Sequence, residues 1–332
     1  MMKKFLSVVL CLVFAVSAFA GFGQGKGMAE SGASPVTVRL GGLKGPTTMG
    51  MVKLLDDAEN GFTENNYEFT MAASADELTP KFLKGELDIL AVPANLGSVL
   101  YNNSNGAVRA LAVNTLGVIY IVEKGGDEIQ SLADLKGQTI YATGKGTTPE
   151  YALNYLLGQN GLDPESDVTV EWKNEPTEVV AKMATLDHAV AMMPQPFVTV
   201  ASGQLEDFRI AVDMTEAWDA LDNGSRFITA ALIVRDAFAQ ENPEAVRTFL
   251  EEYAASTDYA NSNPQEAGVL VEKYDIVKAP VAEKAIPFCN MVCITGNEMK
   301  SSLEGYLAIL AEQNPKAVGG KLPAEDYYLI YD

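Results

Sequence analysis

A single histidine, His188, stands in 332 residues, and that scarcity closes several chemistries at once. A serine or cysteine triad would depend on that one imidazole, and a tetrahedral zinc site wants three or four nitrogen or sulfur ligands. His188 follows Asp187 just ahead of an apolar run, the setting of a half-buried or surface histidine. Cysteine is nearly as rare, with three in all. Cys11 lies in an N-terminal apolar stretch, while Cys289 and Cys293, in CNMVC, have a helical i, i+4 spacing and two open readings: a disulfide, or two buried thiols. No metal site is expected. Basic residues are also short, 24 against 44 acidic ones for a net charge of −20, so nucleic acid and anionic membrane surfaces are repelled. The motifs G-x-S-x-G and H-E-x-x-H are absent.

Apolar runs long enough to notice are confined to the start. MMKKFLSVVLCLVFAVSAFA carries two lysines, an apolar run from Phe5 to about Val16, and Ala18-Phe19-Ala20 as a small-x-small cleavage signal. The run falls short of the roughly 20 residues that span a bilayer, so residues 1–20 read as a signal peptide. With no cysteine at the cleavage point, an exported, periplasmic protein without a lipid anchor is expected. Residues 21–35, rich in glycine and small polar residues, read as a flexible leader.

From residue 36 onward the pattern is duplicated. VTVRL alternates like a strand, GGLKGP breaks it, and Thr47 or Thr48 is placed to cap a helix carrying Met51, Val52, Leu54, Leu55 and Ala58. QTIYAT, GKGT and a helix capped by Thr148 with Pro149 at its first position repeat the unit, with Lys44 and Lys145 standing 101 residues apart. LDILAVPAN from Leu87 and LDHAVAMMPQP from Leu186 form a second matched pair, 43 residues after the lysine in one copy and 41 in the other. VIYIV and RFITAALIV read as buried strands after each unit, and the remainder is helical, with NPEAVRTFLEEYAAS and NPQEAGVLVEKY opening on Asn-Pro. The expected architecture is α/β and bilobal: lobe one from residues 36–120 and 229–332, lobe two from 121–228, joined by two crossover strands.

The glycine, lysine and threonine loops invite a nucleotide reading, but neither copy meets G-x-x-x-x-G-K-[ST], and G-x-G-x-x-G from Gly144 meets Pro149 at its last position. No cofactor is expected. Instead, helix N-termini flanked by hydroxyls offer unpaired N–H groups to a polar or anionic ligand, one per lobe. Lys44, Lys145 and Arg226 favour an anion, while Tyr151, Trp172 and Phe197 are candidates to stack on a planar ring.

LKGPTTMGMVKLL, ELTPKFLKGELDILAVPANLGSVLYN, SLADLKGQTIYATGKGTTPEYALNYLL and MMPQPFVTVA resemble the substrate-binding proteins of ABC importers, in the branch handling nitrate, sulfonates, taurine and pyrimidine precursors of thiamine. The resemblance implies a type 2 periplasmic binding fold, no catalysis, and delivery of a sulfonate, nitrate, carboxylate or pyrimidine-like ligand to a permease and its ATPase by a monomer. Position by position it implies cleft roles for Thr47, Thr48, Ala94, Asn95, Gly146, Thr147, Thr148, Pro194 and Gln195, to which Lys44 and Arg226 are added as charged candidates. The rival expectation is an exported hydrolase using a carboxylate pair in the same cleft.

Overall fold

The computed structural model describes residues 35–331, so the expected signal peptide and the leader up to residue 34 lie outside the described residues. Its first four strands are β1 (Thr37–Leu43), β2 (Asn66–Ala72), β3 (Ile89–Pro93) and β4 (Val108–Leu116). Five more then come without interruption by the first sheet: β5 (Ile119–Lys124), β6 (Thr139–Thr143), β7 (Thr169–Lys173), β8 (Ala189–Pro194) and β9 (Phe208–Asp213). The last two are β10 (Ile228–Arg235) and β11 (Met291–Ile294).

These strands make two sheets, ordered β2-β1-β3-β10-β4-β11 and β7-β6-β8-β5-β9. Position for position the two obey one scheme. Three parallel strands (β2-β1-β3, β7-β6-β8) are followed by an antiparallel strand (β10, β5), and that strand pairs antiparallel with the next (β4, β9). The paired Leu-Asp segments play equivalent parts in it. Arg235 at the end of β10 donates through Nε to the Leu87 carbonyl at 3.0 Å, and Lys124 at the end of β5 donates to the carbonyl of Leu186. Each cation thus ties the antiparallel strand to the turn that precedes the buried parallel one.

Continuous apolar runs occupy the sheet centres because both faces are covered. In β3, Ile89 and Ala91 pack into one apolar cluster while Leu90 and Val92 pack into another; in β8, Val190 and Met192 separate in the same way from Ala191 and Met193. By contrast β2 and β7, at the rims, are only partly buried along their length.

The chain passes from the first sheet to the second across Gly117 and Val118, and returns between Asp213 and Ile228 by way of the helix Met214–Asp219. Beside the return, Trp218 packs on Tyr155, Phe227 and Tyr306 with ring centroids 4.8 to 5.4 Å apart. This aromatic cluster joins a helix of the second lobe, Thr148–Gln159, to the late helix Gly296–Gln313.

The late helices Pro243–Ser262 and Pro264–Lys273 begin at the two Asn-Pro signals. The asparagines act backwards, however. Asn242 and Asn263 donate through Nδ2 to the carbonyls of Phe238 and Tyr259, four residues earlier, at 3.3 and 2.9 Å, so each closes the preceding helix while proline opens the next. Cys289 and Cys293 depart from the helical spacing read from CNMVC: Cys289 comes just after a short 3-10 turn and Cys293 lies in β11, and both are free thiols.

Candidate functional site

The two matched loops end their strands differently from the capping expectation. After β1, Gly45 at φ 146° leads into a four-residue helix, Pro46–Met49, with Gly45 rather than a threonine at its cap. Thr47 and Thr48 lie inside that turn, and both hydroxyls donate back to the Leu43 carbonyl, at 3.1 and 2.6 Å. Both are buried, Thr48 completely, and the Thr47 carbonyl accepts Asn114 Nδ2 at 3.0 Å. The turn is therefore braced against β4. Lys44 points to Asp275 at 3.6 Å.

After β6 the cap is Thr147, one residue ahead of the position expected, and its hydroxyl donates to the Gly144 carbonyl at 2.7 Å. The Gly146 N–H, at φ 76°, is already taken by the carboxylate of Glu150, so the negative charge favoured at a helix start is supplied from within the chain. Thr148 is fully buried and donates to Asn95 Oδ1 at 3.3 Å, while Asn95 Nδ2 donates to the Ala317 carbonyl at 2.9 Å. Asn95 opens the helix after β3, so this bond joins the two lobes directly. Ala94 beside it is fully buried.

Strand register assembles a second group at the end of the other sheet. Tyr120 of β5 lies directly opposite Asp213 of β9, Ile119 lies opposite Pro194 of β8, and the Gln195 N–H donates to the Val118 carbonyl at 3.0 Å. Of these, Tyr120, Gln195 and Asp213 border a cavity of about 650 Å³ whose lining also includes Phe288, a residue of the late chain. The cavity runs along β9 from Phe208 to Asp213 and reaches Gln195 just after β8, and its volume falls in the roughly 300–1,000 Å³ range of small-molecule sites.

Two buried side chains in its wall are incompletely bonded. Gln195 is 3% exposed; its Oε1 accepts from the Thr199 N–H at 3.3 Å and the Thr199 hydroxyl at 2.9 Å, and its Nε2 has no partner among the described residues. Tyr120 is 6% exposed and its hydroxyl is likewise without a partner among the described residues. Burial first, and then the charge of Asp213 with Glu216 behind it, push the Tyr120 phenol up to about 12, so it is a neutral donor at physiological pH. Asp213 uses one carboxylate oxygen to cap the helix Met214–Asp219 through the N–H groups of Thr215 and Glu216.

The structure thus joins Asn95 to Thr148 across the lobes and sets Gln195, the residue after Pro194, in a cavity wall. It does not bring Arg226 to either group: its guanidinium pairs with Glu298 at 3.1 Å with both side chains more than half exposed. Lys145 and Gly146 are exposed on their loop. Tyr120, Asp213, Glu216 and Phe288 carry no motif. What unites them is register between strands some 90 residues apart and a contact from the last third of the chain.

Residues 106–267 match the family model described as NMT1/THI5 like. A protein of Brucella abortus (strain 2308), named only as a binding protein, is 25% identical over 241 residues, covering 69% of this chain and 71% of that one. An ABC transporter structure from Parabacteroides distasonis superposes with a TM-score of 0.73 at 21% identity, covering 90% of this chain and all of the other. The periplasmic aliphatic sulphonate binding protein SsuA from Escherichia coli does so at 0.72 and 17%, covering 89% and 92%. The chain has the fold of an ABC-importer substrate-binding protein. At these identities the structural likeness is one of fold, and it fixes the bilobal frame of the binding protein while its site rests on the residues described above. In that frame the Asn95–Thr148 bond joins the two lobes, while the Tyr120–Gln195 cavity belongs to the second lobe with Phe288 of the late chain at its wall.

Proposed function

We propose that this chain is an extracytoplasmic solute receptor that holds a small polar molecule between its lobes and delivers it to an ABC-type permease driven by its ATPase. The observation that carries the reading is the cavity of about 650 Å³ bordered by two nine-tenths-buried polar side chains with unused hydrogen-bonding groups. Neither Gln195 Nε2 nor the Tyr120 hydroxyl is among the side-chain atoms sealed in the core without a partner, so both are open to a ligand that accepts from them. The fold shared with binding proteins supports the same reading. In it Gln195 is a ligand contact. The loops of Thr47, Thr48, Asn95, Thr147 and Thr148 do not line that cavity; their part in the reading is the Asn95–Thr148 bond, which ties the lobes to one another. Export by the N-terminal segment, a periplasmic location and action as a monomer belong to the proposal. Among the described residues no helix is long and apolar enough to cross a membrane.

Thermal unfolding in the presence of sulfonates, nitrate, carboxylates, pyrimidines and amines tests it. A ligand at a hundredfold excess over Kd stabilises the folded form by about 2.7 kcal/mol, a rise of roughly 5 °C in a protein of this size. One chemical class should give that rise, and Gln195→Ala should abolish it. Conversion of a panel member to product by the purified protein would overturn the receptor reading.

A further inference from the structure

The charge of the cavity wall runs against the anion that the lysines and arginine of the sequence favour. None of Lys44, Lys145 and Arg226 lines the cavity. Its one cation is Arg209, and that guanidinium is committed: it pairs with the fully buried Glu123 and donates to the carbonyls of Gly126 at 3.3 Å and Ile129 at 2.6 Å. Against it stand two carboxylates in the same wall, Asp213 and Glu216. Asp213 keeps one oxygen without a partner, and the Glu216 carboxylate has no hydrogen bond or ion pair among the described residues. The Tyr120 hydroxyl lies within their field and is itself unpartnered, as is Gln195 Nε2. The apolar part of the lining includes Phe208, Ile210 and Phe288; the last two are 47% and 56% exposed.

We propose that this cavity of the second lobe, met by Phe288 from the late chain, receives a small organic cation, whose positive nitrogen faces Asp213 and Glu216, whose acceptor faces Gln195 Nε2 and whose apolar face lies on Phe288. This rests on the receptor reading and narrows it. An anion in the same place would meet the free oxygen of Asp213 and the exposed carboxylate of Glu216, and like charges repel. A cation pairs with them and completes their hydrogen bonding, and an apolar face against the Phe288 ring adds apolar area removed from water.

Two matched planar probes, benzamidinium and benzenesulfonate, differ in charge sign and little in size. Titration calorimetry should detect benzamidinium and not benzenesulfonate. Glu216→Gln, at an exposed carboxylate without partners, should weaken benzamidinium roughly three- to tenfold, and Asp213→Asn should weaken it further. Because Asp213 also caps a helix, circular dichroism of that variant must match the parent, and Glu216→Gln carries the test if it does not. Native mass spectrometry of the protein purified from its own host identifies the natural occupant. A released molecule with net positive charge supports the proposal. One without net positive charge, or benzenesulfonate binding that Glu216→Gln fails to strengthen, overturns the cation class and leaves the receptor standing. No occupant together with no binding of either probe overturns both.

Discussion

Glu123 and Asp88 are fully buried carboxylates, one per lobe, each held by cations at its rim. Asp88 lies between Arg39 and Arg235, both at 2.6 Å. Glu123 accepts from His188 Nε2 at 3.0 Å, from Arg209, and from the N–H groups of Glu128 and Ile129 at 3.1 and 3.4 Å. Burial alone would raise the Glu123 pKa, but the bonds from His188, the two N–H groups and Arg209 outweigh it and hold the group below the usual value. A depressed carboxylate contributes stability that is present above its unfolded-state pKa of about 4.3 and is lost as pH falls through the folded value. Glu123→Gln should therefore cost about 3 kcal/mol at pH 7 by leaving Arg209 partly unpaired, with a smaller loss on going from pH 5 to pH 3 than the parent shows. Urea unfolding at the three pH values decides it; equal acid slopes in parent and variant would show that Glu123 is not the group that titrates. His188 on the Glu123 carboxylate fits the half-buried histidine read from its neighbours, but the carboxylate partner, 65 residues away, left no local mark.

Between elements, one close approach joins the helix Ala94–Asn103 and the 3-10 turn Glu325–Tyr327. A methyl group on Gly97 would come within 2.3 Å of the Tyr327 hydroxyl and 3.0 Å of Ile233 Cγ2. Tyr327 is fully buried, so its ring has nowhere to withdraw, and its hydroxyl is one of the buried oxygens without a partner among the described residues. Gly97→Ala should cost about 1–3 kcal/mol by overpacking, although alanine is the better helix former. Tyr327→Phe should be neutral or stabilising by up to about 1 kcal/mol, since it removes an unpaired polar atom. In the double variant most of the alanine penalty should vanish, because the nearest ring atom would then lie at 3.6 Å. A thermal double-mutant cycle reads the coupling, and strict additivity would rule out the steric account. Helices and their starting prolines were legible at this scale because Asn-Pro punctuates locally. The direction of the asparagine bonds, and the shift of the cap from Thr148 to Thr147, were not, since both residues of each pair are chemically fit for either job.

At the scale of the molecule, the two-lobe reading came from an ordered pair of weak matches, and the structure gives those matches one role, since Leu87 and Leu186 anchor equivalent strand ends. The cavity wall was out of reach, because Tyr120 meets Asp213 only through antiparallel register and Phe288 arrives from the far end of the chain. The sheet order also dictates a sequence in time. All five strands of the second sheet lie within residues 119–213, whereas the first sheet must wait for β10, which sits between β3 and β4. Loop closure over such a separation is slow relative to local pairing. Pulse-labelled hydrogen exchange during refolding should find amides of β6 and β8 protected before those of β3 and β4, and simultaneous protection would contradict this order. Until residue 228 is available, the apolar flanks of β3 and β4 have no strand between them, and unpaired edges of that kind are where nascent chains aggregate. A truncation ahead of Ile228 therefore removes β10 from the middle of the first sheet and β11 from one rim, and leaves β4 cut off from β3.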